Sequence, residues 1–130
     1  QELGASFVFT PHLVPVNRGI LATCHLFFEK PVSQQELEGE LKKFYGEKKF
    51  VKVVGKPSGQ SDAKNWLPTM KMVRGTNNCL LGVEADESHC AAVVISAIDN
   101  LVKGAAGQAI QNASLMLGFK EDLPTRPVFP

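Results

Sequence analysis

The sequence lacks the features that would mark a membrane or nucleic-acid partner. Its longest apolar runs, such as FVF and AAVVI, are far shorter than the roughly 20 residues of a membrane-spanning helix. No basic segment followed by an apolar one marks a secretory signal at the N-terminus. Lys and Arg total 14 against 13 Asp and Glu, and these charges are scattered along the chain. We therefore expect neither a membrane nor nucleic acid as a partner.

Cysteine is scarce, and its spacing fits no known framework. Cys24, Cys79 and Cys90 share neither a CxxC motif nor Cys/His ligand spacing. Three cysteines without a framework favour the reduced state, in the cytoplasm or an equivalent organelle lumen. His89 and Cys90 are neighbours, but on a strand their side chains would point to opposite faces. We expect no metal site and no catalytic pair there.

The sequence motifs of a complete enzyme are also missing. The chain has no GxGxxG, P-loop, GxSxG, HExxH or paired-carboxylate pattern. Its 130 residues suffice for one hydrophobic core and are too few for two typical domains. The sequence does not start with Met, which indicates a processed chain or an excised fragment. On motif spacing alone, the chain is not a complete enzyme.

What the sequence does contain is a series of short strands with two helices. Strands are predicted over 5–10, 19–29, 50–54, 69–75, 79–84 and 90–99. The long apolar run at 19–29 is typical of a central strand that is buried on both faces. Ser33 and Glu36 form a capping box, which predicts a helix over 34–45 that ends near Gly46.

A second helix is predicted over 103–118, followed by a proline-rich tail over 120–130. The order of elements contains few parallel strand-helix-strand crossovers. We therefore predict an α+β domain over 1–119, which includes this closing helix. Its sheet is mixed and mainly antiparallel, with one or two helices packed on it.

Two segments could bind a ligand. In the loop 11–19, PHLVPVNRG, Arg18 could clamp a carboxylate or phosphate, and His12 could donate to an oxyanion or titrate near neutrality. A solvated loop without a ligand is the simpler interpretation of these two residues alone. The closing helix starts with GAAG at 104–107, where small residues permit close approach of a second backbone or of a ligand. Close packing and ligand contact both stay open there.

Three segments together point to a family. FTPHLVPVNRGILATC, GTNNC and DNLVKGAAGQAIQNASLMLG resemble, in order, the C-terminal half of the N-acetyl-gamma-glutamyl-phosphate reductases, within the aspartate-semialdehyde dehydrogenase-like group. The resemblance implies an α+β dimerisation and substrate domain that follows a Rossmann domain. Enzymes of this family reduce N-acetyl-glutamyl phosphate to the semialdehyde with NADPH and release phosphate, in arginine biosynthesis.

The resemblance also limits what this chain can do alone. The family's Asn-Pro-Gly-Cys nucleophile motif is absent here, and its His-x-His-x-Pro-Glu-Ile segment would lie immediately before Gln1. The expected activity is therefore that of a full-length reductase, and we expect the isolated chain to be inactive and to hold no NADP(H) by itself. The alternative is a stand-alone module that binds a small molecule or oligomerises without catalysis.

The resemblance suggests roles for individual residues and a partner. It makes Arg18 the residue that holds an anionic part of the substrate, with His12 as a weaker candidate. It puts Gly107, Gln108 and Asn112 near the nicotinamide end of the cofactor. We also expect a homo-oligomer, a dimer or tetramer, formed through the sheet face, because the apolar strands offer more surface than one helix can cover.

Overall fold

The computed structural model describes residues 7–57 and 66–121, which form four strands and three α-helices. The strands are β1 (Ile20–Phe27), β2 (Val51–Val53), β3 (Cys79–Asp86) and β4 (Ala91–Ile98), and the helices are α1 (Gln34–Tyr45), α2 (Met70–Val73) and α3 (Gly107–Met116). The predictions of a helix at 34–45 and of strands at 50–54, 79–84 and 90–99 are confirmed to within two residues.

The strands form one mixed sheet in the order β1-β4-β3-β2. β4 is antiparallel to both β1 and β3, whereas β2 is parallel to β3. In this register Val94 of β4 lies opposite Cys24 of β1 on one side and opposite Val83 of β3 on the other. The buried apolar core consists of Phe50, Trp66, Val73, Val83, Ala92 and Ala97. The predicted α+β class with a mixed, mainly antiparallel sheet is confirmed.

Helix α1 starts as its sequence predicts. The Ser33 hydroxyl accepts a hydrogen bond from the Glu36 amide at 3.3 Å, which satisfies one of the free N–H groups of the first turn. The helix ends at Gly46, whose amide donates to the Lys42 carbonyl at 2.7 Å. This cap fixes the register of α1, so that Gln34 faces the sheet.

Gln34 completes the outer edge of β3. β2 pairs with β3 only as far as Leu81, and beyond that point the Gln34 amide donates to the Val83 carbonyl at 2.7 Å. Its oxygen accepts from the Ala85 amide at 2.9 Å. One side-chain amide thus takes the place that a neighbouring strand would occupy, and it protects an edge that would otherwise be open to pairing.

The position predicted for the run at 19–29 is wrong. β1 is an edge strand that pairs only with β4 among the described residues, and all eight of its residues are exposed. The apolar composition correctly indicates a strand. Burial on both faces, however, requires layers above and below the sheet, and the elements at 7–57 and 66–121 do not cover β1.

The strand predicted at 69–75 is also wrong, because residues 70–73 form the short helix α2. In a strand, Met70 and Met72 would point together to the core. In the helix, Val73 is the buried residue and Met72 is half exposed. Four alternating residues do not distinguish the two periods, and Thr69 has the extended backbone of an N-cap residue, so a helical turn can begin after it.

Two further strand predictions fail locally. Residues 7–10 of the predicted strand 5–10 pair with no strand in the described part of the chain and are exposed, while residues 5 and 6 lie outside it. His89 and Cys90 do not share a strand: His89 ends a single 3-10 turn, and Cys90 adopts a left-handed conformation with φ 50°. This connection between β3 and β4 is too tight for extended backbone at both residues.

The closing helix forms, but its start is not α-helical. Residues 102–106 make one π turn, in which the amides of Gly104 and Ala106 donate to the carbonyls five residues earlier at 2.9 and 3.1 Å. α3 then runs to Met116, and the left-handed Gly118, with φ 70°, ends it. The tail beyond residue 121 and the centre of the loop 55–68 lie outside the described residues, within which no helix is long and apolar enough to cross a membrane.

Candidate functional site

Asp99 connects the two segments that the sequence singles out. It follows β4 directly, and its side chain is fully buried. Arg18 Nη2 donates to Asp99 Oδ1 at 3.0 Å and lies 2.9 Å from Oδ2 in an ion pair. The amides of Leu101 and Val102 donate to Oδ1 at 2.8 and 3.0 Å, and the Gly75 amide donates to Oδ2 at 2.7 Å. The loop 11–19 and the start of the closing helix therefore meet at one carboxylate.

These contacts explain why a buried carboxylate stays ionised. Burial raises the pKa of Asp99, but the hydrogen bonds from Gly75, Val102, Arg18 and Leu101 together outweigh it and hold the pKa below its usual value. A buried charge without such partners would be strongly unfavourable. Asp99 is therefore a charged anchor for the segments around it.

Only one nitrogen of the Arg18 guanidinium, Nη2, contacts Asp99. The Arg18 side chain is 27% exposed, Nη2 takes both oxygens of Asp99, and Nε is buried without a partner among the described residues. Nη1 makes no hydrogen bond within residues 7–57 and 66–121. Arg18, the residue predicted to bind an anion, is thus already paired with the Asp99 carboxylate. Its Nη1 remains available for a second anion.

The residues beside this pair hold the end of the loop in place. The Gly19 amide donates to Asn100 Oδ1 at 2.8 Å. Gly19 has φ 118°, and a Cβ at this position would lie 2.8 Å from the Cβ of Met70, so both conformation and space require glycine. The Asp99-Asn100 pair consequently fixes two consecutive residues of the loop.

His12 lies away from this contact. It is exposed, and its Nδ1 lies 3.1 Å from the Thr10 carbonyl oxygen. No hydrogen bond or ion pair joins it to Arg18 within residues 7–57 and 66–121. The structure thus places the two predicted substrate residues on one loop without direct contact between them.

The predicted cofactor residues divide into two groups. Gly107 is buried, and a Cβ here would overlap Asn77 Oδ1 and lie 2.7 Å from the Val102 carbonyl oxygen, so the structure gives it a packing role. Gln108 and Asn112 are one turn apart, and the Gln108 amide donates to Asn112 Oδ1 at 2.8 Å. This amide pair lies at the surface, where a ligand can reach it.

Gln111, on another face of α3, belongs to a polar cluster in the interior. Its Oε1 accepts from Asn77 Nδ2 at 3.1 Å and from Lys103 Nζ at 2.7 Å, and its amide donates to Glu121 at 2.6 Å. Burial lowers the pKa of Lys103, and its ammonium also lies over the Phe50 ring, 5.6 Å from the centroid. The cluster anchors the closing helix to the start of β3.

A shallow depression at the opposite end of β3 contains none of the predicted site residues. Leu67, Glu84, Asp86, Glu87 and Val93 contribute to its lining. Its carboxylates would repel an anionic substrate. Among the described residues, no group of three or more His, Cys, Asp or Glu side chains could hold a metal ion.

Asp99 and Asn100 are the residues that sequence reasoning missed. The signal was present, because an Asp-Asn pair between a buried strand and a helix is typical of a capping site. What the sequence could not show is that the same carboxylate also binds Arg18, 81 residues away along the chain.

Comparison with known proteins gives the family. Residues 1–100 match the model described as semialdehyde dehydrogenase, dimerisation domain. Proteins named N-acetyl-gamma-glutamyl-phosphate reductase are 48% identical over 113 residues in Methanosarcina mazei, which is 87% of this chain and 30% of that protein. In Methanocaldococcus jannaschii the identity is 47% over 122 residues, 93% of this chain and 33% of that protein.

A solved structure has the same fold. Aspartate semialdehyde dehydrogenase II from Vibrio cholerae superposes with a TM-score of 0.58 at 24% identity, over 81% of this chain and 29% of that chain. The chain thus spans about a third of the length of the relatives it matches. By the matched model and by its relatives, the chain belongs to the semialdehyde dehydrogenase dimerisation-domain family, next to the N-acetyl-gamma-glutamyl-phosphate reductases.

Proposed function

We propose that this chain is the dimerisation and substrate domain of a reductase that converts N-acetyl-glutamyl phosphate to the semialdehyde in arginine biosynthesis. The observation that carries the proposal is the shared name of relatives that match nearly the whole chain. The semialdehyde dehydrogenase fold agrees with it. The nucleophile and the catalytic base belong to other parts of such an enzyme, so the domain contributes binding and assembly.

On the substrate side, Arg18 is the proposed anion-binding residue. Its Nη1 has no partner among the described residues, and its orientation is fixed through Nη2. A charge-assisted hydrogen bond from Nη1 to a phosphate or carboxylate oxygen would hold one end of the substrate. His12, exposed on the same loop, is the proposed second donor.

On the cofactor side, we propose Gln108, Asn112 and the neighbouring Gly107. The two surface amides offer donors and acceptors of the kind that a nicotinamide carboxamide needs, and Gly107 lets the helix approach Asn77 closely. When bound, NADPH would supply the hydride for the reduction. The choice of NADPH over NADH is part of this proposal.

For assembly, we propose a homo-oligomer, a dimer or tetramer, formed through the sheet. We define the β1 surface as the exposed apolar residues Ile20, Leu21, Leu26 and Phe27. An apolar strand exposed along its whole length is unusual in a monomer and fits a subunit contact. The three unpaired cysteines and the proposed biosynthetic role support a location in the cytoplasm or an equivalent organelle lumen.

The test is a reductase assay on the complete gene product that contains residues 1–130. In the reverse direction, N-acetyl-glutamate semialdehyde and phosphate should together reduce NADP⁺, which is followed by the absorbance of NADPH. Omitting phosphate should abolish the signal, because the acyl phosphate cannot form without it. Folded protein without phosphate-dependent turnover would refute the proposal.

A second assay addresses the alternative of a binding module. We expect calorimetry on the isolated chain to detect no binding of N-acetyl-glutamate or NADPH, since the remaining parts of both sites lie outside this domain. Tight binding by the chain, combined with no turnover by the complete gene product, would favour a small-molecule binding module.

A further inference from the structure

The contacts of Asp99 join parts of the molecule that are far apart in sequence. Its carboxylate holds the guanidinium of Arg18 on one side and the first amides of the closing helix on the other. The neighbouring Asn100 holds the Gly19 amide. The loop with the proposed substrate residues and the helix with the proposed cofactor residues are therefore fixed relative to the same dipeptide.

We propose that Asp99 is the positioning residue of this site, and that it acts by holding Arg18 through Nη2 so that Nη1 stays available to the anionic substrate. The inference rests on the proposed function. It assigns no contact with the substrate to Asp99 itself, whose side chain is fully buried.

The geometry favours this role over a simpler one, in which Arg18 only supplies a hydrogen-bond donor to the buried Asp99 carboxylate. Three backbone amides already donate to the carboxylate, from Gly75, Leu101 and Val102. Arg18 adds a fourth donor that contacts both oxygens from one nitrogen. An arginine side chain on a loop otherwise samples many rotamers, and this contact selects one of them. Fixing that rotamer before the substrate arrives strengthens binding.

The substitution Asp99→Asn separates charge from shape. The amide has nearly the same size, but one acceptor becomes an NH₂ donor, which faces Arg18 Nη2 in either orientation because Nη2 lies near both oxygens. It also faces either the Gly75 amide or the amides of Leu101 and Val102. The Arg18 guanidinium then loses its charged partner and its fixed orientation. We expect the KM for the acyl phosphate to rise by about tenfold or more, with a smaller change in kcat.

The decisive measurement is a double-mutant cycle in the complete gene product, with Asp99→Asn, Arg18→Ala and the double variant. If Asp99 acts through Arg18, Asp99→Asn raises the KM in the wild-type background and not in the Arg18→Ala background. Additive effects on the KM, or an unchanged KM in Asp99→Asn, would overturn the inference. A purely structural role would lower the melting temperature without this coupling.

Asp86→Asn is the matched control, because Asp86 is an exposed acid at the end of β3. It lies opposite Ala91 at the start of β4, whereas Asp99 and Arg18 meet at the other end of that strand. The KM of Asp86→Asn should stay within about twofold of the wild-type value. If Asp99→Asn does not fold, Asp99→Glu takes its place in the cycle. Glutamate keeps the charge but shifts the carboxylate by one methylene, so its KM should rise less and show the same coupling.

A second readout is independent of catalysis. Rotation of the Arg18 guanidinium about its Nε–Cζ bond can be followed by nitrogen NMR on the chain of residues 1–130. We expect slow rotation in the wild type and fast rotation in the Asp99 variant. Equal rotation rates in the two proteins would refute the inference even if the reductase activity is found. Slow rotation in the wild type, fast rotation in the variant and no reductase activity would show that Asp99 fixes Arg18 but would refute its role towards the substrate together with the proposed function.

Discussion

A single carboxylate explains much of the local structure around the candidate site. Asp99 is fully buried, yet four donors from three segments keep its pKa below the usual value. These donors compensate the loss of hydration, so the charge is retained in the interior. Stability is consequently linked to the protonation state of this residue.

We expect acid to weaken the protein partly through Asp99. Because its pKa is depressed in the folded state, its contribution is complete above the ordinary carboxyl pKa of about 3.9 and is lost as the pH falls below that value. Asp99→Asn should lower the free energy of unfolding by about 3 kcal/mol at pH 7, and this difference should shrink at about pH 3. Urea unfolding at both pH values measures it.

The control for this experiment is Glu40→Gln, which removes one exposed acid from α1. The free energy of unfolding of this variant should follow that of the wild type at both pH values to within about 0.5 kcal/mol. A difference between wild type and Asp99→Asn that is the same at both pH values would contradict the assignment of the acid sensitivity to Asp99.

Gly107 gives a second expectation at this scale. In Gly107→Ala the new Cβ would overlap Asn77 Oδ1 and crowd the backbone of Val102, so the variant should be about 1–3 kcal/mol less stable. Gly104→Ala is the matched control, since its nearest neighbours would lie at an ordinary 3.5 Å. Thermal unfolding of both variants is the measurement, and equal melting temperatures would argue against close packing at Gly107.

Among the secondary-structure elements, β3 depends on a side chain for its outer edge. The Gln34 amide pairs with the Val83 carbonyl and the Ala85 amide, where β2 no longer reaches. Gln34→Ala should therefore destabilise the protein by about 1–3 kcal/mol and increase hydrogen exchange at Ala85. Gln35→Ala, at the adjacent exposed position, should change neither. Unaltered exchange at Ala85 in the Gln34 variant would show that the edge does not need this contact.

The sequence allowed α1 and the central strands to be predicted because their signals are local. Ser33 and Glu36 define the start of α1, and the β-branched run at 90–99 defines β4. α2 was missed because four residues are too short to distinguish periods of 2 and 3.6. The π turn at 102–106 was missed because no propensity distinguishes it from an α turn.

The site was only partly predictable, for a different physical reason. Arg18 stood out as a cation on an irregular loop, and Gln108 and Asn112 stood out as amides on an otherwise apolar helix. Asp99, the partner of Arg18, did not stand out, because it is distant in sequence and becomes a neighbour of Arg18 only when β1 pairs with β4. Contacts of this kind depend on topology, which single-sequence patterns do not determine.

At the scale of the whole molecule, most of the exposed large apolar side chains within residues 7–57 and 66–121 lie in three regions. One is the N-terminal segment, with Phe7 82% and Phe9 79% exposed; the second is the β1 surface; and the third is the outer side of α3 around Met116. Such a distribution is costly in water. It agrees with the proposed assembly through β1 and with the proposed place of this domain in a larger reductase.

We expect the chain to self-associate through the β1 surface. Sedimentation equilibrium at tens of micromolar should give a mass well above the 14.1 kDa of one chain. Leu21→Lys should shift the equilibrium towards the monomer, because it puts a charge into the contact. Phe44→Lys, at an even more exposed apolar position on α1, is the control and should leave the equilibrium unchanged. A monomeric wild type would refute the assembly through β1.

The π turn before α3 has a consequence for insertions and deletions. Its hydrogen bonds join residues five positions apart, whereas those of an α-helix join residues four apart. The turn before α3 therefore contains one residue more than an α turn would. Each residue turns a helix by about 100°. Deleting a residue from a regular helix therefore rotates everything after it, but the loss of Ala105 or Ala106 would remove the extra residue of the π turn. The turn could then close as an α turn, with Gln111 still facing Lys103. An inserted residue has no such reserve and would rotate α3 by that angle, so this turn tolerates the loss of a residue better than the gain of one.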